Sequence, residues 1–361
     1  MSEKQALQAI RQKIDDIDLQ VQVLLNKRAK MAQEVASIKI ANGEQTDFYR
    51  PDREAIVLRQ VMKRNQGPLD SQEMARLFRE IMSACLAAEK PLQVAYLGPE
   101  GSFTQVATLK QFGGSIAPQP MPTIADVFNA VEQGNASYGV VPVENSTEGM
   151  VSHTLDRFIT TSLKINGEVS LRIHHYLLSQ ETSLSDVDKI YSHPQALAQC
   201  RQWLSNHCPG CELIAVNSNS KAAEMVASER GSAAIAANKA AEIYNLVTLA
   251  SNIEDEIDNT TRFLVIGRQD ISRSGHDKTA LLVSTKNEPG ALHTILEPLA
   301  KSGITMTRIE SRPSRQGVWE YVFFIDIEGH RDDTDIAKAL AELKEASSMC
   351  RVLGSYPKAV L

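Results

Sequence analysis

The chain has 361 residues, enough for two or three domains of ordinary size. Its hydrophobic fraction of 43% and charged fraction of 23% are typical of globular proteins, and it has no run of about 20 apolar residues to span a membrane. The net charge of −6 argues against general nucleic-acid binding, and the charged first residues lack a signal or transit pattern, which predicts a cytoplasmic protein.

Residues 1–91 are predicted to be helical, because they contain few β-branched runs. The first helix should end at the segment NGEQTD, residues 42–47. The second should begin at Pro51, a favourable first-turn residue, and run to about Asn65. Asp70 and Glu73 form a capping pair for a third helix that ends near Glu89.

The first helix has a heptad seam, in which apolar residues recur at alternating steps of four and three. Such a seam packs against other helices. Its members are Ile10, Ile14, Ile17, Val21, Leu24, Met31, Val35 and Ile38.

Arg28 occupies a seam position that calls for an apolar side chain. A buried guanidinium needs a partner, so Arg28 should face an acidic residue or an anionic ligand. Lys39 lies about 16 Å further along the same side and could share a small dianion, whereas Arg11 lies about 25 Å back and would have to serve a second site in an intertwined dimer. Ordinary solvated side chains would explain Arg11 and Lys39 taken alone, but not Arg28.

At these positions the sequence resembles the all-helical chorismate mutases that are fused to prephenate dehydratase. The resemblance implies that Lys39 faces the ether oxygen of chorismate, that Glu54 receives its hydroxyl, and that three arginines hold its carboxylates, one of them from the partner chain. The implied mutase site contains Arg11 (from the partner), Arg28, Lys39, Arg53, Glu54, Cys85 and Glu89.

Glu89 departs from the best-known bacterial pattern, which has glutamine at this position. It continues the apolar row of Phe78, Met82 and Cys85. We therefore expect burial to raise its pKa, so that its acid form donates a hydrogen bond to the ether oxygen as an amide would.

From Leu92 onward, short β-branched runs alternate with helical stretches, which predicts an α/β fold. Small polar residues follow at once after several strands, where helix N-termini favour anions. These turns are "GPEGSFT" at 98–104, "ENSTEG" at 144–149, "SHPQ" at 192–195 and "NSNS" at 217–220. Any one of them is a common helix cap, but several together predict a dicarboxylate pocket.

Cys208 and Cys211 form a C-x-x-C pair with Cys200 and His207 nearby, which is the minimum inventory of a zinc or redox site. A proline and a glycine between them make an ordinary turn, and no second pair follows. We therefore expect no metal and no cofactor. The five cysteines, an odd number, should be reduced thiols.

The polar turns that follow the predicted strands, together with "VVPVENSTEG" and "NTTRFLVIG", resemble prephenate dehydratase over residues 92–268. The resemblance implies two α/β lobes, similar to the type-2 periplasmic-binding fold, that close on prephenate. It makes Thr261 the essential hydroxyl, which donates a hydrogen bond to the leaving oxygen. The residues expected to position the substrate are Ser102, Thr104, Asn145, Ser146, Thr147, His193, Gln195, Arg262 and Phe263, although a histidine before proline is more often a helix cap.

Residues 269–277 are polar and read as a linker. The order after it is strand 279–285, helix 289–302, two strands around Gln316 and Gly317, helix 332–346 and a last strand, a βαββαβ ferredoxin-like pattern. With the motifs "NEPGALH" at 287–293 and "IESRP" at 309–313, residues 278–361 resemble an ACT domain. The resemblance implies a phenylalanine sensor shared between two chains; a mere dimerisation module is the alternative. The implied sensor residues are Asn287, Gly290, Ala291, Leu292, Glu310, Ser311, Arg312 and Pro313.

The sequence therefore predicts a multidomain enzyme with an all-α intertwined mutase domain at 1–91, a two-lobed α/β dehydratase domain at 92–268 and an ACT domain at 278–361. It would convert chorismate to prephenate and then to phenylpyruvate, under feedback inhibition by L-phenylalanine, as a homodimer or larger homo-oligomer in the cytoplasm. A fusion to prephenate dehydrogenase would need a G-x-G-x-x-G fingerprint, which "GPEGSF" lacks. A solute-binding sensor without catalysis remains the alternative.

Overall fold

The structure is a computed structural model that describes residues 3–41, 49–285, 288–313 and 321–361. Its first three helices are α1 (Glu3–Ala41), α2 (Pro51–Arg64) and α3 (Ser71–Ala87). Pro51 lies in the first turn of α2, and the Asp70 carboxylate caps α3 by accepting from the backbone N–H groups of Gln72 and Glu73. The three predicted helices and both helix starts are therefore confirmed.

Helix α1 leaves its apolar seam uncovered within one chain. The side chains of Ile10, Ile17 and Leu24 are 57%, 57% and 63% exposed. Only the last third of α1 packs on α3, where Ala36 is buried. Exposed apolar surface of this extent on a 39-residue helix is typical of a surface that packs against another protein.

The next residues form two α/β lobes. The first lobe has a sheet of order β2-β1-β3-β11-β5 with β4 on β3, and the second has a sheet of order β10-β6-β9-β7-β8. The first lobe contains β1 (Gln93–Leu97), α4 (Phe103–Phe112), β2 (Ala117–Met121), α5 (Ile124–Glu132), β3 (Tyr138–Asn145), β4 (Gly149–Met150), α6 (Ser152–Thr160) and β5 (Lys164–Arg172). The second contains β6 (Tyr176–Ser179), a 3₁₀ turn (Leu184–Asp186), β7 (Lys189–Ser192), α7 (Pro194–Gln199), α8 (Arg201–His207), β8 (Glu212–Ala215), α9 (Asn219–Val226), β9 (Ser232–Ala236), α10 (Asn238–Tyr244) and β10 (Val247–Ser251).

The chain crosses between the lobes twice, after β5 and again before β11 (Thr260–Gly267), which returns to the first sheet between β3 and β5. The strands predicted from β-branched runs are present as β1, β3, β7, β8, β9 and β11. Strand β2 gave no such signal because it contains Pro118 and Pro120. It lies at the sheet edge, where a missing N–H is tolerated.

The C-terminal module has the predicted βαββαβ order. Its sheet runs β13-β14-β12-β15, and its two helices pack on each other and on that sheet. The elements are β12 (Asp277–Thr285), α11 (Ala291–Lys301), β13 (Met306–Pro313), β14 (Tyr321–Glu328), α12 (Thr334–Ala346) and β15 (Met349–Pro357). The predicted turn at Gln316 and Gly317 lies outside the described residues. None of the helices in the described ranges is long and apolar enough to cross a membrane.

The C-terminal module is packed tightly on the first lobe. One hydrophobic core contains Val141 and Leu264 of the lobe together with Leu282 and Phe324 of the module. Strand β15 lies against β5, so closely that a Cβ built on Gly354 would overlap the carbonyl oxygen of Ile165.

A buried ion network lies beside this core. The Arg262 guanidinium donates to Glu168 of β5 at 2.9 Å, to Asp326 of β14 at 2.8 Å and to the Tyr356 hydroxyl of β15 at 3.0 Å. The Lys278 ammonium approaches the other Glu168 oxygen at 2.8 Å. These charges are largely desolvated, so the loss of any one leaves its partners buried with fewer counter-charges.

We expect Gly354→Ala to destabilise the protein by about 1–3 kcal/mol, because the added methyl group must push β15 away from β5. Thermal and urea unfolding of both forms would measure this. Gly210→Ala is the matched control, since a Cβ there meets no described atom within 4 Å. Equal midpoints for Gly354→Ala and Gly210→Ala would contradict the packing.

Candidate functional site

The first candidate site is a cavity of about 530 Å³ between the three N-terminal helices. All the residues predicted for the mutase site except Arg11 line it. They are Arg28 and Lys39 of α1, Arg53 and Glu54 of α2, Cys85 of α3, and Glu89 just after α3.

Three cations in this cavity have no carboxylate partner among the described residues: Arg28, Lys39 and Arg53 make none of the described ion pairs. The nearby acids form ion pairs with other cations: Asp52 lies 3.0 Å from Arg50, and Glu54 lies 3.1 Å from Arg79. The cavity therefore carries an excess of positive charge, which suits a ligand with more than one negative group.

Glu89 contributes to the cavity a carboxyl group with one oxygen that lacks a hydrogen-bond partner among the described residues. Its Oε2 atom is buried without a hydrogen-bond partner in the described part of the chain. Burial raises the pKa of Glu89 above its ordinary value, and the Lys39 ammonium partly opposes this. A carboxyl group that holds its proton can donate a hydrogen bond to a ligand oxygen.

Glu54 is engaged within the protein. Its Oε1 accepts from the Arg79 guanidinium, which also donates to the carbonyl of Lys110 in α4 at 2.7 Å. Burial raises the pKa of Glu54, although Arg79 opposes this. Only the remaining lone pairs of this carboxylate are available to a ligand hydroxyl.

Arg11 lies outside the cavity of its own chain. It sits on the exposed N-terminal part of α1. A single chain therefore brings together six of the seven predicted residues.

The second candidate site is a cavity of about 300 Å³ between the two α/β lobes. Six of the predicted residues line it: Thr104, Asn145, His193, Gln195, Thr261 and Phe263. It also contains four residues that were not among the predicted site residues: His175, Gln199, Asn219 and Asn259. Asn219 lies in the turn "NSNS" and Asn259 begins the motif "NTTRFLVIG", whereas His175 lies on the first crossing between the lobes, where the sequence shows no strand-end turn to mark it.

Asn145 holds the Thr261 hydroxyl in one orientation. The Asn145 Oδ1 atom accepts from the backbone N–H groups of Thr147 and Glu148, both at 3.0 Å, so its Nδ2 must be the donor. That Nδ2 lies 2.8 Å from Thr261 Oγ1 and 2.8 Å from Asn259 Oδ1. Because Thr261 Oγ1 accepts here, its own proton is free to be donated elsewhere.

His193 has the capping role that a histidine before proline suggested. Its Nδ1 accepts from the Gln195 N–H at 3.3 Å at the start of α7. Its backbone N–H donates to Asn219, which also accepts from Ser192. His193 therefore shapes the wall of the cavity.

Four residues expected to contact the substrate, Ser102, Ser146, Thr147 and Arg262, do not line this cavity. Ser102 caps α4, Ser146 bonds to the backbone at residues 258 and 260, and the Thr147 hydroxyl is held by Asn145. Arg262 points to the opposite face of β11 from Thr261, into the buried ion network with Glu168 and Asp326.

The expected sensor residues lie at two places in the C-terminal module. Gly290 precedes α11 with φ of +82°, a left-handed conformation that suits glycine, and Ala291 and Leu292 form the first turn after it. Residues 310–313 lie on the edge strand β13, where the Arg312 guanidinium donates to Ser152 at 2.7 Å and Asp156 at 3.0 Å of α6. Asn287 lies outside the described residues.

The cysteine cluster lies in the core of the second lobe. Cys200 and Cys208 are buried among its hydrophobic residues, and Cys211 donates to the carbonyl of Val187. Burial raises the pKa of the Cys208 thiol to about 11, which disfavours the thiolate. The described residues contain no group of three or more His, Cys, Asp or Glu side chains arranged to hold a metal ion.

Family models match the chain in three consecutive segments. The model for chorismate mutase type II matches residues 10–90, the model for prephenate dehydratase matches residues 94–271, and the ACT domain model matches residues 279–345.

Full-length relatives have the same combination. The chain is 54% identical to the bifunctional chorismate mutase/prephenate dehydratase of Stutzerimonas stutzeri and 53% identical to that of Pseudomonas aeruginosa, with 100% of both chains covered in each case. Among solved structures, it is similar to the prephenate dehydratase of Arthrobacter aurescens in complex with L-Phe, at a TM-score of 0.69 and 35% identity over 74% of this chain and 90% of that one.

Proposed function

This chain belongs to the bifunctional chorismate mutase/prephenate dehydratase family, and from that premise we propose how its two cavities perform the two reactions. It converts chorismate to prephenate in the helical cavity and prephenate to phenylpyruvate, CO₂ and water in the cavity between the lobes. The observation that carries the first half is the trio of unpaired cations beside a protonatable Glu89. Incubation with chorismate, followed by phenylpyruvate absorbance in alkali, separates this function from that of a sensor without catalysis.

The mutase reaction is a pericyclic rearrangement, which forms no covalent bond to the enzyme. It needs a site that holds the reactive diaxial conformer and stabilises charge on the breaking ether oxygen. We assign the carboxylates of chorismate to Arg28 and Arg53, joined by Arg11 of a second copy. Lys39 and the acid form of Glu89 donate to the ether oxygen, and Glu54 accepts from the substrate hydroxyl.

We expect mutase activity to fall as pH rises through the raised pKa of Glu89, because the carboxylate can no longer donate to the ether oxygen. Glu89→Gln keeps a donor at every pH, so its mutase rate should change little over the same range. Mutase pH–rate profiles of the two proteins measure this, with dehydratase activity as the internal control. Parallel profiles would remove Glu89 as the donor.

Dehydration of prephenate makes an aromatic ring, so the driving force is large and the enzyme mainly assists departure of the hydroxyl group. We propose that Thr261 donates its free proton as a hydrogen bond to the leaving oxygen. Asn145 orients it, and Thr104, His193, Gln195 and Phe263 shape the pocket.

We expect Thr261→Ala to lower dehydratase turnover at least about a hundred-fold, since a positioned donor is lost, and to leave mutase turnover unchanged. Both rates can be measured in one preparation. Thr260→Ala is the matched control, because the Thr260 hydroxyl bonds to the carbonyl of Asp258 and does not line the cavity. Normal dehydratase turnover in Thr261→Ala would overturn the assignment.

The ACT module provides feedback inhibition by L-phenylalanine. Support comes from the L-Phe complex of the Arthrobacter aurescens relative, from the helix start at Gly290 and from the edge position of strand β13. Free N–H groups at a helix start favour a carboxylate. We place the ligand there, with segments 287–292 and 310–313 contributed by two chains.

We further propose a homo-oligomer that is at least a dimer, in the cytoplasm. The uncovered seam of α1 and the distance of Arg11 from its own cavity support pairing through the mutase helices. The five cysteines are all unpaired thiols, in agreement with a reducing compartment.

The double variant Val21→Glu/Leu24→Glu should weaken the dimer and lower mutase activity at least about ten-fold, because two charges enter the apolar seam. Light scattering measures the mass of each variant in solution and so reports whether it is still a dimer. Gln20→Glu/Gln22→Glu, with the same charge change on exposed polar positions, should leave mass and activity as in the parent.

A mixing experiment tests whether Arg11 crosses to the partner. Arg11→Ala and Arg28→Ala chains are each expected to be inactive as mutases, whereas a refolded mixture should regain activity because mixed dimers contain one intact site. No recovery in the mixture would show that Arg11 serves its own chain.

A further inference from the structure

His175 is a buried histidine in the dehydratase cavity. It lies on the first crossing between the lobes, is 1% exposed and lines the cavity that contains Thr261. Its ring meets the edge of Phe103 with a centroid distance of 5.5 Å. None of the steps proposed for the dehydratase reaction uses His175.

A chain of side-chain amides determines which ring nitrogen carries the proton. Asn145 donates to Asn259 Oδ1, so the Nδ2 of Asn259 is the group that donates to Gln199 Oε1 at 3.2 Å. Gln199 Oε1 is therefore an acceptor, and it lies 2.8 Å from His175 Nε2. Nε2 must carry a proton, and the neutral ring keeps its lone pair on Nδ1.

The Nδ1 atom of His175 is buried and has no hydrogen-bond partner among the described residues. Buried polar atoms are nearly always satisfied, so such an exception calls for an explanation, and a catalytic role is one of the few. The same polar chain begins at Thr261, so it ties this buried, unsatisfied ring nitrogen to the hydroxyl proposed as essential.

We propose that His175 is a catalytic residue of the dehydratase and that its Nδ1–H delivers the proton to the departing ring hydroxyl of prephenate. The proposal rests on the dehydratase function argued above. Thr261 then stabilises the leaving oxygen with a hydrogen bond, and His175 supplies the proton that a threonine is too weakly acidic to release.

The step balances. The bond between the ring and the carboxylate breaks, CO₂ leaves, and its electron pair enters the ring. The C–O bond at the opposite ring carbon breaks, and its electron pair leaves with the oxygen, which takes the Nδ1 proton and departs as water. After the products leave, the imidazole stays neutral until the next substrate binds, when it takes up a proton from solvent.

The charges around His175 suit this cycle. Burial lowers the pKa of His175 in the empty cavity, the neighbouring His174 adds to this, and Glu254 and Gln199 oppose it. Glu254 accepts from the backbone N–H of His175 at 2.9 Å and lies 2.7 Å from His174 Nδ1. The two carboxylates of prephenate bring negative charge that raises the pKa on binding, so substrate and proton arrive together.

The test uses the full-length enzyme with prephenate as substrate and compares His175→Asn, His175→Gln and His174→Gln. We expect both His175 variants to lose at least about a hundred-fold in dehydratase kcat, with KM changed much less, because a proton donor acts in the transition state. The kcat of the parent should fall at high pH, and this limb should vanish in His175→Asn, which keeps a polar group near Nδ1 that cannot titrate. His174→Gln should keep a kcat close to that of the parent and should keep the high-pH limb.

The experiment distinguishes failure of the His175 proposal from failure of the proposed dehydratase function. Parent-like kcat with the high-pH limb intact in either His175 variant would overturn the proposal, whereas a parent without dehydratase activity would overturn the proposed function itself. Mutase activity in each preparation reports folding of the chain. If neither His175 variant folds, ¹⁵N-histidine spectra of the parent decide, since a neutral ring protonated on Nδ1 instead of Nε2 would contradict the proposal.

Discussion

The structure depends on the buried ion pairs of Arg262. This residue follows Thr261 on β11, and because side chains alternate along a strand, one faces the cleft while the other faces the C-terminal module. Its guanidinium joins Glu168 of the first lobe to Asp326 of the ACT sheet. The ACT module is thus in direct contact with the residue next to Thr261, through the ion pair between Asp326 of β14 and Arg262 of β11.

The mutase domain has the opposite electrostatic arrangement. Where Arg262 is neutralised within the fold, Arg28, Lys39 and Arg53 are left without carboxylate partners in the described structure, around a cavity that a dianion would fill. The apolar seam of the same helix is likewise left exposed by the described residues. We propose that both deficits are met from outside the chain, the first by substrate and the second by another copy, so that a single helix links assembly to catalysis.

In the dehydratase cleft, polarity is set by hydrogen bonds of fixed direction. Backbone N–H groups can only donate, so they orient the Asn145 amide, and that amide then sets the direction of each following bond as far as His175. Preorganised donors of this kind cost no reorganisation when charge develops on the leaving oxygen. The result is a site built largely from amides and hydroxyls, in contrast to the cationic mutase cavity.

The sequence by itself determined what depends on neighbouring residues: the helix starts at Pro51 and Asp70, the β-branched strands, and the guanidinium of Arg28 on an apolar seam. Through the family resemblance that its motifs support, the sequence also predicted six residues that line the helical cavity and six that line the cavity between the lobes.

Only the tertiary structure decided which strand-end side chains turn toward the cleft, and which serve as caps, as Ser102 does. It also brought Arg262 to Asp326, 64 positions away, and His175 to Gln199 at the lobe crossing. The physical reason is that strand pairing and lobe closure set the direction of a side chain through contacts between distant segments, and local periodicity contains no record of those contacts.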